Sequence, residues 1–249
     1  MMRVSSSQVR RQLKKLFDPN APASLRCFAV LEGQSAGEVW VDTLTCPNSG
    51  IVREAAFGSL YFGGESDAAI IDDLIPAFKK EGDVLVGLWP DDGLWIKMPV
   101  NHDYAGTVLE FDRRTADRSM QLSRKPVPAG CRLRPLDGGL LKDSMMVNYL
   151  TNVYGNVEKA LRQGMGLCLM RGEEILNEGF AGPSANGLIE IGVETRQQHR
   201  QHGYATQVCA HLIKECERLG LSTYWNCDAR NAASIALARR LGYRAGKFV

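Results

Sequence analysis

The stretch IEIGVETRQQHRQHGYATQVCAHLI, at residues 189–213, determines the fold of this chain. It predicts a strand that runs through a short loop into an amphipathic helix beginning near Gly203. The first turn of a helix has four backbone N–H groups without intrahelical partners and carries the positive end of the macrodipole. Glycine at 203 and alanine at 205 allow an anion to approach these amides closely. The stretch therefore predicts a phosphate-binding site.

Further strands and helices are predicted on both sides of this stretch. GLCLM, ILNEGFAG and LIEIGVET, between residues 166 and 195, form three closely spaced strands that indicate an antiparallel meander. The strand STYWNCD follows the helix, and ARNAASIALARRLG then predicts a last helix between a cap at Asn231 and Gly242. A parallel crossover is thus added to the meander. The predicted fold class is α/β, with a mixed sheet of the α+β type.

The strand, loop and helix do not by themselves identify the nucleotide. The chain contains no GxxxxGK[ST] for a nucleoside triphosphate and no GxGxxG with an acidic residue about twenty positions later. The P-loop and dinucleotide-binding folds are therefore disfavoured.

Four blocks of sequence together resemble the GNAT superfamily of N-acetyltransferases. RQHGYA at residues 200–205 fits the R/Q-x-x-G-x-G/A signature, and IGVET, WNCDARNAAS and LARRLGY lie at matching places around it. The combination is similar to a bacterial branch that includes zwittermicin-resistance-type acetyltransferases, and it covers residues 131–243. The resemblance implies a seven-stranded sheet whose two central strands splay apart and hold acetyl-CoA in the gap.

The resemblance also implies which residues bind acetyl-CoA as co-substrate. The backbone from Val193 to Thr195 is expected to pair with the pantetheine arm like an added strand. Asn231 and Ser234 are expected to meet the same arm, although Asn231 is explained almost as well as a helix N-cap. The pyrophosphate is expected on the amides of Arg200, Gln201, His202, Gly203, Tyr204, Ala205 and Thr206.

Acetyl transfer to an amine needs a base, because an alkyl amine with a pKa near ~10 is mostly protonated at neutral pH. Glu190 and Glu194 are the candidates, and Glu190 is favoured because bases of this family commonly lie on this strand. Each is about equally well explained as a solvent-facing strand residue. A backbone N–H near Val193 is expected to stabilise the oxyanion without a covalent acyl-enzyme, and Cys227 is interpreted as a structural thiol.

The chain departs from the family in two places. The position where many members carry a tyrosine acid is Ala238, which leaves Tyr224 and Tyr243 as substitutes on proximity alone. Only a short segment follows Gly242, which is too little for the hairpin that usually completes the sheet. One edge of the sheet is then expected to be covered by the first domain or by a partner chain in a homodimer, or to stay uncovered.

Residues 1–125 are predicted to form a smaller mixed α/β domain, and residues 126–249 the GNAT domain. The smaller domain is predicted to contain an N-terminal helix capped by Ser7, a hairpin between residues 26 and 45, and a strand pair between 51 and 62. A helix from Ser66 to Gly82 and the strand DVLVGL at 83–88 echo the order seen after Gly203, which hints at a degenerate GNAT-like half. Its tryptophans are candidates for the acceptor pocket: Trp40, Trp89 and Trp95.

Composition limits the function classes. The formal net charge is +2, so nucleic acid is an unexpected partner. The seven cysteines and four histidines show no metal-ligand spacing, and no apolar run approaches the ~20 residues of a membrane span. We therefore expect a cytoplasmic, metal-free N-acetyltransferase acting on a small-molecule amine. A protein N-terminus or lysine is the nearest variant, and a non-catalytic CoA-binding module is the alternative.

Overall fold

A computed structural model describes residues 1–19, 24–56, 58–65, 108–113 and 121–248. The chain divides into two compact units, one of residues 1–105 with 152–155 and one of residues 106–151 with 156–249. This division falls before the boundary predicted after residue 125. The reason is a strand at residues 108–113, which pairs within the sheet of the second unit.

The first unit contains a four-stranded antiparallel sheet in the order β1-β2-β3-β4. Two helices lie between its first and second strands in the chain, and a 3₁₀ turn at Leu13–Leu16 extends the first helix. The elements are β1 (Met2–Arg3), α1 (Ser7–Gln12), α2 (Ser24–Glu32), β2 (Gly37–Val41), β3 (Ser49–Glu54) and β4 (Leu60–Gly64).

Two details of the first unit differ from the prediction. The hairpin predicted between residues 26 and 45 is wrong in its first arm, because CFAVL lies in α2 and all five of its residues are buried. A short apolar run buried on every side has no periodicity that separates helix from strand. The N-terminal helix is capped by Ser6 rather than Ser7. The strand pair between 51 and 62 is confirmed as β3 and β4.

Other predictions for the first half lie outside the described residues or stay predictions. The helix from Ser66 to Gly82, the strand at 83–88, Trp89 and Trp95 fall outside, whereas Trp40 lies half-buried in β2. The order of strand, helices and three antiparallel strands in the first unit recurs in the second unit between residues 131 and 195. A degenerate GNAT-like half requires this repetition.

The second unit contains a seven-stranded mixed sheet in the order β11-β5-β10-β9-β8-β7-β6. Residues 152–154, at the end of the first helix of this unit, are grouped with the first unit. The elements are β5 (Val108–Arg113), β6 (Cys131–Pro135), α3 (Val147–Tyr154), α4 (Val157–Gln163), β7 (Met165–Arg171), β8 (Glu174–Ala185), β9 (Leu188–Thr195), α5 (Tyr204–Arg218), β10 (Ser222–Asp228), α6 (Ala232–Leu241) and β11 (Tyr243–Phe248).

The sheet is completed by a strand from earlier in the chain. β5 lies between β10 and β11 and is antiparallel to both. The short segment after Gly242 therefore leaves no missing strand at this position, because residues 108–113 take the place of the second hairpin strand. Among the described strands, β11 is the outermost on this side.

One face of the sheet packs against α5. Gly179 of β8 permits this close packing, since a Cβ there would lie 2.8 Å from Leu212 Cδ1. Ile189 and Ile191 of β9 join the same core. The amphipathic helix predicted after Gly203 is confirmed as α5, and its buried residues include Val208, Cys209, Leu212, Ile213 and Cys216. Leu219, predicted to belong to the same apolar stripe, follows the helix and is exposed. Residues that alternate with these on β8 and β9 face away from α5.

Candidate functional site

The loop between β9 and α5 forms an amide cradle at the N-terminus of the helix. Gly203 is the N-cap residue with φ +78°, and no side chain caps the helix at this residue. A side chain at 203 would meet nothing within 4 Å, so the positive φ, and not crowding, favours glycine. Gln201 also has a positive φ of 66°. The N–H groups of Tyr204, Ala205 and Thr206 lie in the first turn, without intrahelical acceptors.

Aromatic and basic side chains contact the residues of the cradle. Tyr204 is buried, packs with the Val208 core and accepts a hydrogen bond at its hydroxyl from the Arg171 guanidinium at 3.1 Å. The His202 ring stacks on Tyr204 with a centroid separation of 5.4 Å, and its Nδ1 lies 2.8 Å from the carbonyl oxygen of Arg200. His202 therefore shapes the loop through its ring.

The two central strands of the sheet splay as the family resemblance implies. β9 and β10 pair in parallel only from Leu188 to Glu190, opposite Ser222 to Tyr224. From Trp225 onward β10 pairs with β5. In the described strands, residues 191–195 of β9 pair on one side only, with β8. The edge that Val193 to Thr195 present towards the gap is therefore open to an extended ligand.

Two side chains from outside the predicted set hold the end of β9. The buried Asn177 amide donates to the Glu194 carbonyl oxygen at 2.8 Å and to Thr195 Oγ1 at 2.7 Å. Arg196 donates to the carbonyl oxygens of Ile175 at 2.7 Å and Asp143 at 3.1 Å. These bonds fix the strand where it enters the cradle.

The N-terminus of α6 lies on the opposite side of the gap. Asn231 Oδ1 accepts from the Ser234 amide at 3.0 Å, so its role as an N-cap is real. Ser234 Oγ accepts from Trp225 Nε1 at 3.1 Å, which ties the first turn of α6 to the core. A capping role does not remove either side chain from the site, because both also line the cavity.

A cavity of about 790 Å³ joins the cradle, the open edge of β9 and α6. Of the residues predicted to bind CoA, only His202 does not line it. Glu194 lines it as well, whereas Glu190 and Tyr224 do not. The sequence analysis missed five lining residues, four of which lie at helical spacing on one face of α6: His199, Ala233, Ala236, Leu237 and Arg240.

Glu190 and Tyr224 lie side by side where the strands begin to diverge. They are the last paired residues of β9 and β10. Glu190 is buried, with 5% of its surface exposed. It alternates with Ile189 and Ile191 of the core, and therefore faces away from α5, as Gly192 does towards Met146.

The other candidate base has a different environment. The Glu194 side chain is nearly half exposed, and its Oε1 lies 3.3 Å from a guanidinium nitrogen of Arg200. This exposed ion pair contributes little to stability, but it neutralises much of the charge that Arg200 adds to the cradle. Glu194 thus lines the cavity beside the cradle, and Glu190 lies where β9 and β10 diverge.

A buried carboxyl that the sequence analysis did not select lies beside these residues on β8. Glu178 Oε1 accepts from the Met146 amide at 2.8 Å, just before α3 begins. Its Oε2 is buried without a hydrogen-bond partner among the described residues. Burial raises the pKa of Glu178, and the hydrogen bonds from Ser144 and the Met146 amide offset this only in part. Glu178 therefore anchors the start of α3 to the sheet.

Replacing Glu178 with glutamine is expected to change the pH dependence of stability. Because the folded pKa is raised, the contribution of Glu178 is full below the unfolded value of about 4.5 and is lost as pH rises through the folded pKa. Glutamine does not titrate. The free energy of unfolding of the wild type minus that of E178Q should therefore fall with rising pH above ~4.5. Urea denaturation across a pH series measures this, and a difference that rises with pH would contradict it.

The residues considered as alternatives in catalysis are engaged elsewhere. Ala238, at the family's tyrosine position, is fully buried in the core. The Tyr243 hydroxyl donates to Thr223 Oγ1 at 2.7 Å inside the protein. Burial raises the pKa of the Cys227 thiol, which disfavours the nucleophilic thiolate. Of the two tyrosines, Tyr224 is the one paired in register with Glu190.

Within the described ranges, no group of three or more histidine, cysteine or acidic residues is arranged to hold a metal ion. No helix in the same ranges combines the length and apolarity needed to cross a bilayer.

The sequence and the fold both match known proteins. Residues 15–247 match the profile of the family described as GNAT acetyltransferase. An uncharacterized N-acetyltransferase, YdfB, from Bacillus subtilis (strain 168) is 22% identical over 243 residues, which is 93% of this chain and 90% of the relative.

Solved structures share the fold at low sequence identity. A GCN5-related N-acetyltransferase-like protein from Streptococcus suis 89/1591 has a TM-score of 0.70 and 22% identity, and the match covers 98% of this chain and 97% of the other. A tandem GNAT protein from the clavulanic acid biosynthesis pathway has a TM-score of 0.65 and 12% identity, with 98% and 94% covered.

Proposed function

Because the chain belongs to the GNAT acetyltransferase family, we propose that it transfers the acetyl group of acetyl-CoA directly to a primary amine of a small molecule. Acetyl-CoA-dependent acyl transfer is the activity of the family. The observation that carries the proposal is the single cavity along which the amide cradle, the open edge of β9 and the N-terminus of α6 meet.

The residues of this cavity suit the parts of CoA. The first-turn amides of α5 would bind the pyrophosphate, because they offer donors at the positive end of a 15-residue helix. The backbone of Val193 to Thr195 would pair with the amide groups of the pantetheine arm, which are spaced as donors and acceptors of a short peptide. Asn231 and Ser234 would contact the same arm from α6.

The reacting groups would meet where β9 and β10 diverge. Glu190 would take a proton from the ammonium group of the bound acceptor, directly or through a water. The resulting neutral amine would attack the thioester carbonyl carbon, and the C–S bond would break as the tetrahedral intermediate collapses and the nitrogen loses its second proton to water. A backbone N–H near Val193 would donate to the developing oxyanion. Tyr224, paired in register with Glu190, would protonate the departing CoA thiolate. Holding the two substrates together supplies much of the remaining rate.

A small molecule is the favoured acceptor on the grounds of charge. The formal net charge is only +2, so no strong overall field attracts a charged macromolecule. A protein N-terminus or a lysine side chain presents the same amine chemistry. The test must therefore include both kinds of acceptor.

The test combines an acceptor screen with a blocked cradle. The protein is incubated with acetyl-CoA and either small amines or peptides with free amines, and intact mass spectrometry detects an added acetyl group. Ala205→Glu places a carboxylate among the cradle amides, where like charges ~4 Å apart repel by up to about 4 kcal/mol. CoA affinity should fall by ~10²–10³-fold, as measured by calorimetry.

A matched variant separates this effect from a general effect of charge. Ala55 is exposed in the first unit, so Ala55→Glu should leave CoA affinity unchanged. Unaltered CoA binding in A205E would contradict the location of the cradle. Acetylation of peptides but of no small amine would replace the small-molecule acceptor with a protein amine.

A further inference from the structure

Glu190 and the helices that line the cavity lie on different faces of the sheet. The helices are α5 and α6, and they share one core with Ile189 and Ile191 of β9. Acetyl-CoA in the cavity would therefore approach the diverging strands from this side. Because Glu190 faces away from α5, the amine that it deprotonates would approach from the other side.

Met146 fills a gap in the row of side chains on the Glu190 face. The residues of β9 that share this face include Glu190, Gly192 and Glu194. A Cβ at 192 would lie 3.1 Å from Met146 Cε, so the methyl group of the methionine lies where a strand side chain would begin. The φ of Gly192 is not positive, so the backbone does not require glycine here. The missing side chain thus gives its space to Met146.

The backbone of Met146 is anchored independently of its side chain. The Met146 N–H donates to Glu178 Oε1 at 2.8 Å and to Ser144 Oγ at 3.1 Å. Both accepting residues are buried, and Met146 is buried as well. The start of α3 therefore holds the thioether over β9. Shortening the side chain leaves this anchor in place.

The Met146 methyl group and the Glu190 carboxylate flank the same small space. Alternate residues on one face of a strand are ~7 Å apart, so the methyl group over Gly192 lies one such step from Glu190. Both side chains are buried, which leaves little width beside the carboxylate. The methionine contributes an apolar wall, since a thioether carries no charge and is only a weak acceptor.

We infer that Met146 limits the width of the acceptor site beside Glu190, so that the protein selects primary amines carried on an unbranched CH₂ group. This inference rests on the proposed function and narrows its substrate class. A methyl branch on the carbon that bears the amine would have to share the space that Met146 Cε occupies over Gly192. Apolar pockets distinguish substrates that differ by one carbon by ~10–200-fold in kcat/KM.

The test measures kcat/KM, from the release of the CoA thiol, for amines that differ in this branch. One pair is 1-aminobutane and 2-aminobutane, and the other is two peptides that begin with glycine or with alanine. The wild type should favour the unbranched member of a pair by at least ~10-fold. Met146→Ala should bring this ratio close to one. Because both members are measured on one preparation, the ratio does not depend on how much of a variant is folded.

A second variant changes the same space in the opposite direction. In Gly192→Ala the new Cβ would displace the Met146 methyl group, so the ratio should rise above that of the wild type. Met146→Leu keeps most of the volume and should keep the preference. Met170→Ala is the matched control, because it removes a fully buried methionine from β7, two strands away from β9, and should leave the ratio unchanged.

The outcomes separate this inference from the proposed function. Equal use of both members of a pair by the wild type would overturn the role of Met146 while leaving acetyl transfer intact. An unchanged ratio in M146A would do the same. Acetylation of neither the amines nor the peptides would overturn the proposed function and this inference with it.

Discussion

Replacing Glu190 with glutamine is expected to lower the rate of acetyl transfer by ~10²–10⁴-fold, the usual contribution of a general base. Glutamine keeps the shape of the buried side chain but cannot accept a proton from the ammonium. Since Glu190 does not line the cavity proposed to bind CoA, the affinity for CoA should stay unchanged. Steady-state kinetics with an acceptor found in the screen, together with calorimetry of CoA binding, measure the two quantities.

The pH dependence of the variant distinguishes a base from a structural residue. The free-amine fraction of the acceptor rises as pH approaches ~10, so the deficit of E190Q should shrink with rising pH. Glu173→Gln, in the exposed turn between β7 and β8, is a matched control with wild-type activity expected. A deficit that is constant with pH, accompanied by weaker CoA binding, would assign Glu190 a structural role.

Glu194 gives a second comparison on the same strand. Its carboxylate is paired with Arg200 and lines the cavity, so Glu194→Gln should alter CoA affinity more than the rate at saturation. If Glu194→Gln loses the rate and Glu190→Gln does not, Glu194 is the base and Glu190 is not. The two variants test different positions, because both carboxylates lie on one face of β9 at different distances from the point where β9 and β10 diverge.

The elements around the site were predictable because their signals are local. The stripe of α5, the glycine at 203 and the caps at Asn231 and Gly242 each act within one or two turns of the chain. The strand LIEIGVET was predicted with the bounds of β9. Since cradle and cap residues lie close to these signals, most of the cavity lining followed from the sequence.

The remaining features depend on contacts between distant residues. Nothing within residues 108–113 indicates that this strand inserts between β10 and β11, because the pairing joins segments more than a hundred residues apart. The apolar residues of α2 are buried all around, so their pattern fits a strand equally well. Glu178 is another example, since its burial and its bond to Met146 arise only when β8 meets the start of α3. Arg240 and the other lining residues of α6 could have been predicted, because their helical spacing is visible in the sequence.

Replacing Trp225 with alanine is expected to cost ~3–5 kcal/mol of the stability of the second unit. Trp225 is 2% exposed and lies among core residues from α5, α6 and β11, with its ring centroid 5.7 Å from that of Tyr243. Alanine would remove this packing and leave a cavity. Urea denaturation followed by far-ultraviolet circular dichroism measures the loss.

Trp225→Phe separates packing from the hydrogen bond to α6. Phenylalanine keeps most of the buried apolar area but cannot donate to Ser234 Oγ, so a smaller loss of ~1–2 kcal/mol is expected. Combining W225F with Ser234→Ala should then cost less than the sum of the two single variants, by about 1 kcal/mol. Strict additivity would show that the bond contributes nothing. Coupling of the expected size would mean that the core itself positions the first turn of α6, and with it Asn231 and Ser234, against the cavity.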